Sequence, residues 1–105
     1  MKSVEVGRLG ERHVVNYLKE KKYTIVEWDT QAPGSTDIEA QHASAHLLVQ
    51  VKTAIHPNEP GTLTSEEVRN IKSRATKINA DPWEANVQIS DNGQLVNVIK
   101  WSKLV

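Results

Sequence analysis

Apolar positions in the first twenty residues recur at helical spacing: Val4, Val14, Val15 and Leu18 fall on one face between Ser3 and about Lys22. With Ser3 placed as an N-cap, this stretch is predicted to be a helix. The pattern then shortens to a β-prone run from Tyr23 to Trp28, closed by Asp29-Thr30-Gln31-Ala32-Pro33-Gly34, which predicts a strand and a loop. Two more extended segments, Ser35 to Gln41 and His46 to Lys52, are separated by His42-Ala43-Ser44-Ala45. A connection of hairpin length makes them antiparallel neighbours. A longer connection, Ala54 to Leu63, carries Pro57, Pro60 and Gly61 and ends at Thr64-Ser65-Glu66-Glu67. Thr64 and Glu67 have the spacing of a capping box. The second helix is predicted from there to about Asn79, burying Val68, Ile71, Ala75 and Ile78, and ending at Asp81-Pro82. Ala85 to Ser90 and Gln94 to Trp101 read as strands around Asp91-Asn92-Gly93, where Asn and Gly tolerate the positive φ of a tight hairpin.

The predicted order is therefore αβββαβ with a final strand. This is an α/β fold with a mixed central sheet flanked by helices, ending in a β-hairpin. No repeat, low-complexity tract or linker divides the chain, so residues 1–105 are expected to form one domain.

Composition narrows the chemistry. A chain of 105 residues buries roughly two thirds of its unfolded surface in a single core. With no Phe and no Cys, that core must come from Val, Ile, Leu, Ala, three Trp and two Tyr. Disulfides and thiolate metal sites are excluded. Glu, Arg and Lys interrupt every hydrophobic stretch near the amino terminus, so neither a signal peptide nor a membrane span is expected, and the expected location is cytoplasmic. Thirteen basic and thirteen acidic residues leave a net charge of zero. That is a weak electrostatic footprint for tight, sequence-independent binding of nucleic acid. Arg69, Lys72, Arg74 and Lys77 make the second helix basic, but they spread around its polar side, as a solvated face would also have them.

Glu11 lies within the apolar stripe of the first helix, three and four residues before Val14 and Val15. A carboxylate there needs compensation, because leaving water costs several kcal/mol without a cation or donors. Three arrangements meet that need: an ion pair with Arg8, escape at the edge of the stripe, or orientation across the sheet toward Asp37 or Lys52. Gly7 and Gly10 flank it. Each costs a helix roughly 1 kcal/mol relative to Ala, which suggests close backbone approach to a phosphate or a neighbouring element, or a helix that begins late.

Asp37 stands in Ser35-Thr36-Asp37-Ile38-Glu39, a strand context that disfavours Asp, and Glu39 projects from the same face. In the next strand Leu47, Val49 and Val51 share one face, while Leu48, Gln50 and Lys52 share the other. A carboxylate, an amide oxygen and an ammonium thus converge at one end of a small sheet. Phosphodiester hydrolysis uses such a mixture, since a hard divalent cation stabilises developing charge and lowers the pKa of an attacking water. Magnesium takes oxygen ligands and keeps several waters. Asp37 would be the charged ligand, Gln50 would offer its amide oxygen, Val51 its backbone carbonyl, and Lys52 would position the nucleophile or neutralise the phosphate.

The element order, with Gly7-Arg8-Leu9-Gly10-Glu11 on the first helix, Asp37 on the second strand and Gln50-Val51-Lys52 on the third, resembles the PD-(D/E)xK nuclease superfamily over nearly the whole chain. That superfamily includes type II restriction enzymes, archaeal-type Holliday junction resolvases and Mrr-like endonucleases. The Q-x-K variant is most similar to the Mrr-like group. The resemblance implies a restriction-endonuclease-like core and a Mg²⁺-dependent (or Mn²⁺-dependent) endonuclease acting on DNA. Asp37 and Gln50 would bind metal, Lys52 would be catalytic and Glu11 an accessory acidic residue. A homodimer is expected, because one such domain cleaves one strand. The chain departs from the pattern at Thr36, where Pro is common, and at Gln50, where the second acidic residue would stand. The alternative is a nuclease-fold module of weak or no activity that binds nucleic acid or a protein.

Other groups carry less. Among the four histidines only His42 and His46 are near one another, and without a third ligand zinc binding is not expected. Trp28, Trp83 and Trp101 suit core or interface positions better than base stacking.

Overall fold

The computed structural model describes residues 1–28 and 37–105. Helix α1 spans Ser3–Glu20 and buries Gly10, Glu11, Val14, Val15 and Leu18. Ser3 is its first helical residue and not its cap; Lys2 occupies the cap position, with no side-chain hydrogen bond. Val4 lies off the buried stripe and is 52% exposed. The helix ends in a Schellman arrangement, with Tyr23 N–H bonded to Leu18 O, Lys22 N–H to Lys19 O, and Lys22 at φ 74°.

Strand β1 covers Thr24–Trp28, β2 Asp37–His42 and β3 Ala45–Ile55. The loop expected at residues 29–34 and the start of the second predicted strand lie outside the described residues. Ala43, at φ 51°, makes the turn between β2 and β3. Helix α2 spans Ser65–Lys77 behind the expected capping box of Thr64 and Glu67. It also closes with a Schellman arrangement: Ala80 N–H bonds Ala75 O, Asn79 N–H bonds Thr76 O, and Asn79 sits at φ 57°. Ile78 is therefore a cap residue and largely exposed, where the periodicity had it buried.

Strand β4 runs Asp81–Ile89 and β5 Leu95–Lys103. Asp81-Pro82 is thus not only a helix stop: the strand expected to begin at Ala85 begins at Asp81. Pro82 is tolerated because it lies near the strand's start, where its missing N–H is least needed, while its carbonyl still accepts from Leu104. Gly93, at φ 87°, closes the hairpin, and His13 Nε2 donates to the Gly93 carbonyl at 2.9 Å, tying that turn to α1.

The strands form one sheet in the order β1-β2-β3-β4-β5. Every pairing is antiparallel except β3 with β4, which α2 connects as a crossover. The sheet is thus mixed, as expected. One face, carrying Ile38, Ala40, Val49, Ala85, Val87 and Ile89, packs on Val14, Val15 and Leu18 of α1. The other face presents Leu48 to Leu63, Ile71 and Ala75 beneath α2. The two helices therefore lie on opposite sides of the sheet. At Gly10 the α1 backbone rides directly on β3, since a Cβ there would sit 1.7 Å from Thr53 Oγ1. Gly7 has open space around it.

Candidate functional site

Register places the candidate side chains. Asp37 of β2 pairs with Gln50 of β3, and Gln50 pairs with Glu84 of β4. Directly paired residues share a face, so these three form a row across adjoining strands. Leu48, two residues before Gln50, packs under α2, which puts the row on the α2 side of the sheet. Lys52, two residues after Gln50, lies on that side next to Asn86.

Arg74 of α2 reaches down to Asp37 in a bidentate pair, Nε to Oδ2 at 2.5 Å and Nη2 to Oδ1 at 3.0 Å. Lys52 Nζ donates to Glu67 Oε2 at 3.0 Å, while the other Glu67 oxygen accepts from Thr64 N–H. The Thr64 backbone donor first, and then Lys52, hold the Glu67 carboxyl below its usual range. Between these ion pairs Gln50 is only 2% exposed, and its Oε1 is buried with no hydrogen-bond partner among the described residues. Such an acceptor costs free energy on the order of 1–3 kcal/mol when left unpaired.

Val51 pairs with Ala85, and the described pairing of β2 stops at Gln50, so Val51 is the first β3 residue beyond Asp37. Its side chain packs with the α1-facing core. Glu39 shares the Asp37 face and bonds His46 Nε2 at 2.7 Å. His42 lies beside Tyr23 in a tilted contact, with ring centroids 5.4 Å apart. Among the described residues, no three His, Cys, Asp or Glu side chains are grouped for metal binding.

Glu11 is buried at 8% exposure, as its place in the stripe requires. Its partner is Trp28, whose Nε1 donates to Oε1 at 2.9 Å. Burial pushes its carboxyl up, against the opposing effects of the Trp28 hydrogen bond and the Arg8 charge. Glu11 belongs to the α1 side of the sheet. The fold thus brings Asp37, Gln50 and Lys52 together on the α2 face, while Glu11 comes from the α1 side, where it accepts from Trp28.

Two participants escaped the sequence reading. Arg74 was only one of several scattered basic residues, and no local pattern ties it to Asp37. Glu84 carried a signal, since Trp83, Ala85, Val87 and Ile89 alternate with Glu84, Asn86 and Gln88 at period two. Starting the strand at Ala85 left Glu84 outside it.

No protein-family model matches the chain, and no match was found among curated proteins. Among solved structures it is similar to Hjc, a Holliday junction resolvase from the archaeal hyperthermophile Archaeoglobus fulgidus. The two are 19% identical with a TM-score of 0.63, over 93% of this chain and 77% of that one. The chain therefore has the α/β fold of that resolvase, a mixed five-stranded sheet between two helices.

Proposed function

We propose that this protein is a divalent-metal-dependent endonuclease that hydrolyses DNA phosphodiester bonds, with Asp37 and Gln50 holding the metal and Lys52 acting at the scissile phosphate. The observation that carries this reading is the buried Gln50 Oε1, without a hydrogen-bond partner among the described residues, on a residue paired in register with Asp37 and with Lys52 on the same face. An oxygen acceptor deprived of donors suits a hard cation, and Mg²⁺, with Mn²⁺ as substitute, accepts one carboxylate, an amide oxygen, the Val51 carbonyl and waters. When bound, the ion would stabilise charge on the phosphate and acidify a water. The chain's own part is to fix the ligands on rigid strands and to supply a cation at the phosphate. For that, Asp37 must exchange Arg74 for the metal and Lys52 must turn from Glu67 to substrate. Both partners, Arg74 and Glu67, lie on α2. The resolvase likeness makes four-way DNA junctions the first substrate to test, and a homodimer the expected working form.

A second reading is favoured by the same ion pairs, because both residues are neutralised internally. In it the fold binds DNA or a protein without cutting. Incubation with junction, single-stranded and duplex DNA, with and without Mg²⁺ or Mn²⁺, separates the two. The endonuclease reading predicts metal-dependent cleavage that falls at least a hundredfold in Lys52→Ala and Asp37→Asn. Salt-sensitive binding without cleavage of any substrate would replace it with the second.

A further inference from the structure

The geometry points to Glu84 as the acidic metal ligand of this site, supplying from β4 the charge absent at position 50; the inference rests on the metal-site reading above. Glu84 completes the Asp37, Gln50, Glu84 row and is 6% exposed. Neighbouring strands lie roughly 4.8 Å apart, so the backbones of the two acidic residues stand about 10 Å apart across Gln50. Side chains reaching inward from both ends would span that gap and hold one divalent ion, which takes hard oxygen ligands.

Charge pairing singles Glu84 out. Of the buried or half-buried strand carboxylates on the α2 face, Asp37 is held by Arg74 and Glu39 by His46. Glu84 has no cation among the described residues. It accepts only the neutral Asn86 Nδ2, at 2.9 Å. A buried carboxylate without a cation is an expensive feature for a fold to keep. An unpartnered amide oxygen beside it is a second, independent one. One divalent cation would satisfy both, and Glu84 beside Asp37 would restore the one negative charge that a Gln at position 50 removes.

Asn86 fits this reading as an orienting residue. Its Nδ2 also donates to the Gly61 carbonyl at 3.2 Å, and Gln88 Nε2 to Asn58 O at 2.8 Å. The connection between β3 and α2 is thereby pinned along the polar face of β4.

The test is calorimetric titration of Mn²⁺ into the full chain without DNA, alongside a separate cleavage assay. Wild type is expected to bind one Mn²⁺ per chain, with affinity at least tenfold weaker in Glu84→Gln and at least tenfold tighter in Gln50→Glu. Glu84→Gln keeps the shape and the Asn86 hydrogen bond, and unchanged far-ultraviolet dichroism establishes that it is folded. Unaltered Mn²⁺ affinity in folded Glu84→Gln overturns the assignment. If such a variant also cleaves DNA like wild type, the nuclease reading survives without Glu84. If Mn²⁺ binding depends on Glu84 while wild type cuts no DNA, the ligand assignment stands and the nuclease reading falls.

Discussion

Replacing Gly with Ala at positions 7 and 10 should move stability in opposite directions, although both sit in α1. In each case the helix gains roughly 0.8–1 kcal/mol of propensity. At Gly7 an added Cβ meets nothing within 4 Å, so Gly7→Ala should stabilise by about 0.5–1 kcal/mol. At Gly10 the same atom would lie 1.7 Å from Thr53 Oγ1, 2.7 Å from its Cβ and 2.8 Å from its Cγ2. Rotating the Thr53 side chain exchanges one γ atom for another and leaves its Cβ in the way. The helix must lift from β3, loosening the contact of Val14 and Val15 with the sheet. Overpacking of this kind costs about 1–3 kcal/mol, and after the propensity gain Gly10→Ala should be destabilised by up to about 2 kcal/mol. Urea denaturation followed by tryptophan fluorescence measures both variants, and a shift of midpoint at constant slope reads as stability. In a Thr53→Gly background the cost of Gly10→Ala should largely disappear. Gly10→Ala as stable as Gly7→Ala would show that α1 does not ride on β3 as described.

Three further outcomes follow from the charges. The Glu11 carboxyl is raised in the fold, so its favourable contribution is present below the ordinary carboxylate range and is lost as pH rises through the folded value. Glu11→Gln, which still accepts from Trp28, should therefore be more stable than wild type at pH 7, with the advantage fading on acidification in parallel urea titrations. Glu67 is lowered, so its contribution is present above the ordinary range and lost as pH falls through the folded value. Glu67→Gln should cost about 1 kcal/mol at neutral pH, and the difference from wild type should close in acid. Arg74→Met removes the residue that competes for Asp37, so Mn²⁺ should bind several-fold more tightly by calorimetry; weaker binding would mean that Arg74 supports the site.

Local signals carried the fold. The stripe of Val14, Val15 and Leu18, the Thr64 and Glu67 box, and the hairpin around Gly93 were all legible because each rests on residues within one or two turns of one another. The errors fell at element ends, where Lys22 and Asn79 take the left-handed position that stops each helix and Pro82 enters a strand. Parity of β3 was enough to place Gln50 and Lys52 on one face and Val51 on the other. Parity cannot say which helix covers that face, and only the folded chain shows that it is α2, with α1 and Glu11 on the opposite side. The ion pairs of Asp37 with Arg74 and Lys52 with Glu67 join residues 37 and 15 positions apart through α2, and only the folded chain shows them.

A crystal structure of the protein soaked in Mn²⁺, with the ion located by its anomalous scattering, tests the central claim most directly. The account predicts one Mn²⁺ on the α2 face of the sheet, about 2.1 Å from an Asp37 oxygen and from Gln50 Oε1, with the Arg74 pair broken. No ion at this row under saturating Mn²⁺, with Asp37 still held by Arg74, would contradict it.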